Sequence, residues 1–234
     1  MKNLMLPFLN PESFYTDDTP RIFRDCLKDP SQYVTWSDVE KCMNNPWHFR
    51  CCLLNHDGRR LELTQRFEVW YENQFPLKEE LFQGIDEGLT FTIEQYGHAN
   101  PAVDNLLENI EARYDCNCDA HIFGNAKPNG VSFGAHWDIP PNLICQIEGT
   151  TRWQVFKNRC SSMIRMTDNP YLPDKHDEVL DVAIDDTLNP GDVLYIPSRT
   201  YHKPHPGDKR LSMSIPMSFP RDTDSDRRQY AINF

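Results

Sequence analysis

Three side chains stand out for the chemistry they can do together. His136 and Asp138 lie two apart in FGAHWD (133–138). On an extended strand, residues i and i+2 share a face, so this imidazole and carboxylate would project together. Such a pair can chelate a divalent ion but cannot complete its site. The candidate third ligand is His202, 64 residues beyond Asp138 at the end of Val193–Tyr201. His205 competes with it, and the spacing from Pro197 favours His202. Two histidines and one carboxylate on one face of an ion leave open positions, which suits non-haem Fe(II). Alone, His-x-Asp also fits a core histidine bonded to its neighbour. The order of features says more: His-x-Asp, then Gln146-x-x-Gly149-x-x-x-Trp153, then Pro190-Gly191-Asp192-x-Leu194-Tyr195-Ile196-Pro197, then His202.

Those residues need a scaffold, and the sequence pattern suggests one. From about residue 118 the hydrophobic period is two. Short strands are expected at 120–123, 143–147, 152–156, 193–196 and 211–217. The pieces 143–147 and 152–156, joined at Glu148-Gly149-Thr150, read as a hairpin. Residues 158–186 read as a polar insertion, with its acidic run (174–186) solvated. Pro197–His202 reads as a bend. Many short strands separated by turns indicate a barrel or sandwich.

Residues 1–115 read as mixed and mostly helical. One helix is expected with Ser37 as N-cap and Glu40 as its capping-box partner, ending near Asn44. A second is expected from Pro76 through Phe82. The third, 98–114, carries Val103, Leu106, Leu107, Ile110 and Tyr114 in one apolar stripe. Residues 61–69 alternate loosely and read as a strand. The division expected is 1–115 as an N-terminal α/β region packing on the barrel, 116–220 as the core, and 221–234 as a charged tail.

Composition narrows the function classes. The 234 residues carry 24 basic and 35 acidic side chains, a net charge of −11, which argues against a general nucleic-acid binder. No apolar stretch is long enough for a membrane span. The start, MKNLMLPFLNPESF, is too short for a secretory apolar region. Together with eight cysteines that need no pairing, this suggests a reducing, cytoplasmic setting. Cys116-Asn117-Cys118 near His121 is half a zinc site without a second ligand pair.

The segments GAHWD (134–138), QIEGTTRWQVF (146–156), LNPGDVLYIPSRTYH (188–202) and RLSMSIP (210–216) give the chain a family likeness. It resembles the JmjC-type cupin oxygenases, which are iron(II)- and 2-oxoglutarate-dependent enzymes and include ribosomal oxygenases and asparaginyl hydroxylases. The first half, with YTDDTPRIF (15–23) and VTWSDVEKCM (34–43), is similar in style to the entry region of those proteins. The likeness implies a mainly β fold, a double-stranded β-helix of cupin or jelly-roll type, flanked by helices. It implies His136, Asp138 and His202 as the metal ligands. It also implies Fe(II), 2-oxoglutarate and O2 as the reacting set, with succinate and CO2 released as a C–H bond is hydroxylated. The substrate would be a protein or peptide side chain or a small amino-acid-like molecule.

In one respect the sequence departs from this family. Many JmjC relatives carry Lys or Arg thirteen residues after the triad aspartate, whereas this chain has Thr151 there. Arg152 would face the other way. Other branches of 2-oxoglutarate oxygenases bind the far carboxylate with Arg-x-Ser on the last strand, and Arg210-x-Ser212 matches that pattern. Arg210, Ser212 and the Thr151 hydroxyl are therefore the expected cosubstrate contacts, with His121 a further candidate. A guanidinium fork suits a carboxylate because it binds both oxygens. Asn142 and Gln146 face the cavity if the strand register holds. Trp153 and Trp137 read as packing, and Tyr195 and Tyr201 as structural. The competing readings are a metal- or ligand-binding cupin without turnover, acting as a sensor, and a cupin with another metal and no 2-oxoglutarate.

Overall fold

The computed structural model describes residues 10, 16–68, 73–128, 130–160 and 176–218. The expected tail, 221–234, and most of the expected insertion lie outside these residues. In chain order the elements are β1 (Arg21–Phe23), α1 (Trp36–Asn44), β2 (Arg50–Leu54), β3 (Gln65–Glu68), β4 (Asn73–Pro76), α2 (Lys78–Glu87), β5 (Thr90–Glu94) and α3 (Pro101–Tyr114). There follow β6 (Asn117–Cys118), β7 (His121–Asn125), β8 (Asn142–Glu148), β9 (Thr151–Arg159), β10 (Val182–Leu188), β11 (Val193–Ile196), β12 (Thr200–Pro206) and β13 (Arg210–Ser218).

Two antiparallel sheets form the body. The larger runs β1-β11-β8-β13-β7-β5-β2, with β6 pairing the end of β13. The smaller is β10-β9-β12. This is the expected double-stranded β-helix with helices on one side. Alternation along β13 shows how it is built. Leu211, Met213, Ile215 and Met217 belong to the same buried cluster as Val39 and Met43 of α1, Leu81 of α2 and Leu106 and Ile110 of α3. Arg210, Ser212 and Ser214 alternate with them and line the space between the sheets. Strand β8 repeats the pattern. Leu143, Cys145 and Ile147 join the helical side. Ile144 packs instead with Trp153 and Val155 of β9, Leu188 of β10 and Leu194 and Ile196 of β11. One face of the large sheet is thus an apolar base, and the other can carry polar groups.

Several expected elements are corrected. Strands β8 and β9 do not pair as a hairpin. The first belongs to the large sheet, between β11 and β13, and the second is the centre of the small one. Gly149 makes the crossing with φ +64°, and a Cβ there would lie 2.1 Å from the Lys209 carbonyl oxygen. The expected polar insertion contains β10, whose solvent-facing positions made it look like loop; its Asp185 pairs with Arg152 through two 2.6 Å hydrogen bonds. Thr200–Pro206, partly expected as a bend, is strand β12.

Helix α1 is capped two residues earlier than expected. Thr35, with extended backbone, accepts from Asp38 N at 3.3 Å while the Asp38 carboxylate accepts from Thr35 N at 3.1 Å. Pro76 ends β4 rather than opening α2, which starts at Lys78 after Leu77. Among the described residues, the expected strand at 61–69 shrinks to β3, which pairs with β4; residue 69 lies outside them. Helix α3 begins at Pro101, with the Asn100 side chain accepting from Ala102 N at 2.8 Å. The first half also supplies β1, β2 and β5 to the large sheet. None of the helices among the described residues is long and apolar enough to cross a membrane.

Candidate metal and anion site

His136 does not sit in a ladder strand. It forms a single antiparallel bridge with His202. Its N–H donates to the His202 carbonyl at 3.0 Å, and the His202 N–H returns to the His136 carbonyl at 2.8 Å. The Arg199 N–H donates to the Asp138 carbonyl at 2.8 Å. The Ser198 hydroxyl donates to the Ile139 carbonyl at 2.6 Å. Arg199 has φ +58° and holds its guanidinium 5.0 Å from the centre of the buried Trp137 ring. Trp137 thus packs away from the candidate ligands, between which it lies in sequence.

The side chains converge. His136, Asp138 and His202 each offer one ligand atom, and these atoms lie within 4.8 Å of one another. No other such group of three exists among the described residues, so Cys116, Cys118 and His121 do not make one. The imidazole centres are 4.2 Å apart, and His202 Nε2 lies 3.6 Å from Asp138 Oδ2. Both histidines turn Nδ1 to a backbone carbonyl two residues back: Gly134 O at 2.8 Å and Thr200 O at 2.9 Å. A carbonyl can only accept, so Nδ1 carries a proton, and in the neutral ring Nε2 keeps its lone pair. This tautomer and this orientation are what a metal requires. Burial, and then the neighbouring His136, pull the His202 pKa down to about 4. The imidazole is therefore neutral at pH 7. The donor set fits a divalent first-row ion with open positions.

At the other end of the cavity lies Arg210, 2% exposed. Its Nε donates to Asn125 Oδ1 at 3.0 Å, and Nη1 to Thr151 Oγ1 at 3.3 Å and Ser212 Oγ at 3.2 Å. Ser212 in turn donates to Gln146 Oε1 at 2.9 Å. Each of these partners is neutral, and among the described residues no carboxylate is bonded to the guanidinium. Burial lowers its pKa to about 10, so it stays a cation at neutral pH. A buried charge without a counter-ion is costly, and an anion arriving in the cavity would relieve it.

The structure brings Arg210, Ser212 and Thr151 together. It places His121 on β7 opposite Ser214, half-buried and on the same face as Phe123 and Asn125, but outside the cavity lining. Arg152 points outward to Asp185, and His205 bonds Gln154 instead of joining the triad. Asn142 lines the cavity and accepts from Ser214 Oγ at 2.8 Å. Sequence reasoning missed Asn125. Its even spacing from His121 and Phe123 along β7 was the signal. It also missed Phe133, whose ring centre lies 5.5 Å from that of His136 at the cavity wall.

A family model described as the JmjC domain matches residues 99–224, more than half of the chain. The chain belongs to the JmjC domain family. This JmjC chain is 29% identical over 161 residues to a probable ribosomal oxygenase of Haemophilus influenzae, covering 69% of this chain and 39% of that protein. It is 28% identical over 134 residues to a bifunctional lysine-specific demethylase and histidyl-hydroxylase of Drosophila willistoni, covering 56% of this chain and 17% of that one. A solved Escherichia coli structure, the ribosomal oxygenase YcfD with cobalt and 2-oxoglutarate, superposes with a TM-score of 0.60 at 17% identity. It covers 99% of this chain and 57% of the other, and the likeness establishes the fold. The JmjC chain therefore spans well under two thirds of each of these relatives.

Proposed function

We propose that this JmjC protein is an Fe(II)- and 2-oxoglutarate-dependent oxygenase that hydroxylates a C–H bond. One observation carries the reading: a His/Asp/His donor cluster and a buried guanidinium with no carboxylate partner among the described residues line the same cavity. A ligand satisfying both must chelate at one end and be anionic at the other, which describes 2-oxoglutarate. When bound, Fe(II) and 2-oxoglutarate activate O2, yielding succinate and CO2 as one oxygen passes to the substrate.

The chain's own residues supply position. His136, Asp138 and His202 would hold the ion on one face. Arg210 offers its fork to the far carboxylate, with the Ser212 and Thr151 hydroxyls beside it. Phe123, Phe133, Ile144 and Pro204 line the cavity with apolar surface, which keeps water out and strengthens the charge interactions inside.

The substrate proposed is a protein or peptide side chain, as the names of the ribosomal-oxygenase and histidyl-hydroxylase relatives suggest. The net charge of −11 suits a basic peptide. We further propose 116–220 as the JmjC core, with 1–115 packing on it through α1–α3 and widening its sheet through β1, β2 and β5. The proposed setting is the cytoplasm, with no nucleic-acid partner.

Anaerobic protein with Fe(II) and 2-oxoglutarate should develop the weak visible charge-transfer band of the chelated cosubstrate. Admitting O2 should release succinate. His136→Ala should abolish both. A band without succinate would favour the sensor reading, and no band at all would refute the proposed cosubstrate.

A further inference from the structure

Strand β9 turns Thr151, Trp153 and Val155 to the inside. Thr151 touches Arg210 at one end of the cavity. Val155 lies across from His202 at the other. Trp153 falls between them, opposite Pro204, with its ring centre 6.0 Å from that of His202. The residue is 6% exposed and lines the cavity. Its Nε1–H is buried with no hydrogen-bond partner among the described residues.

Packing explains the ring but not this nitrogen. Buried donors are nearly always paired, and an unpaired one is destabilising. The polar groups of the neighbouring anion end are already engaged. Arg210 can only donate, the Thr151 oxygen accepts from it, and Ser212 both accepts from Arg210 and donates to Gln146. An indole can only donate, so the missing partner is an acceptor. We propose that Trp153 is a 2-oxoglutarate-binding residue, donating from Nε1 to an oxygen of the cosubstrate as it bridges the ion and Arg210. This assignment rests on the cosubstrate reading above and adds a third point of attachment between its two ends.

The test uses the full chain loaded with Zn(II), which is redox-silent and diamagnetic, and titrates in 2-oxoglutarate. Trp153→Phe keeps the aromatic bulk and removes the N–H. Calorimetry should show affinity about tenfold weaker, the loss expected for one hydrogen bond to a charged acceptor. The ligand-free melting temperature should be unchanged or higher, because an unsatisfied donor has gone. In the wild-type protein, the indole N–H signal of Trp153, assigned through its own backbone, should move to lower field on titration. That second measurement stands even if the variant does not fold. Wild-type binding with an unmoved indole signal, or Trp153→Phe binding within twofold of wild type, would overturn the assignment alone. Wild-type protein that takes up no 2-oxoglutarate would overturn the cosubstrate reading and this assignment with it.

Discussion

At one end of the cavity, His136 is tied to His202 of β12 by a single backbone bridge, and the Asp138 side chain is 32% exposed. At the other, Arg210 opens β13 opposite Asn125 of β7, and its hydrogen-bond partners among the described residues are all neutral. The first end is two imidazoles and one carboxylate grouped so that they could hold a cation. The second is a fixed cation awaiting an anion. Each is unsatisfied in a way the other cannot relieve, because a divalent ion and a carboxylate have opposite requirements. Under the proposed function the difference separates two tasks: the more exposed end would take the exchanging ion, and the buried end the far carboxylate of the cosubstrate.

Arg210→Met tests that contrast most severely. Removing a buried fork should weaken 2-oxoglutarate binding by about a hundredfold or more, since two charge-assisted bonds go. Replacing an uncompensated buried charge by an apolar side chain of similar reach should leave the ligand-free melting temperature equal or higher. Metal uptake should be unchanged. A variant that loses stability and metal together would mean that the two ends are not separable.

A smaller effect sharpens the metal end. His202 has an ordinary pKa of 6.5, pulled down to about 4 by burial and then by His136. Between those values the unfolded, metal-free chain binds a proton that the folded chain refuses. Stability should therefore hold above about pH 7 and fall as the pH drops through that window, by ~3 kcal/mol at its lower end. Denaturant midpoints of the metal-free protein at about pH 7 and about pH 5 measure it. His202→Asn should flatten the slope, whereas Arg210→Met should not.

The smallest effect lies away from both ends. Thr35→Ala removes the α1 cap and should cost about 1 kcal/mol of folding stability. Affinity for 2-oxoglutarate should not change. Equal affinity with a lower melting temperature would show that the helical side supports the sheet without tuning the cavity.

What the sequence revealed follows from what each residue must satisfy. The triad was legible because its ligands fall in a rare order of turns and strands, and Arg210-x-Ser212 because alternation on a half-polar strand fixes a shared face. Strand β5 was not legible. TFTIE is buried on both faces for most of its length, so it shows no alternation to separate it from a helix segment. Strand β10, VAIDDTL, failed for the opposite reason: it lies at the edge of the small sheet, largely exposed, and has the composition of a loop. The hairpin expected across Gly149 failed because local turn chemistry reports a change of direction but not which sheet receives the next strand. Asn125 was missed because its role depends on Arg210, 85 residues later.

The reciprocal backbone pair between residues 136 and 202 has a consequence for how such a chain can vary. It acts as a gauge that sets the spacing of two histidines separated by 65 residues of intervening sequence. Since that spacing is fixed locally, much of the sequence between the two histidines can change without moving one imidazole relative to the other.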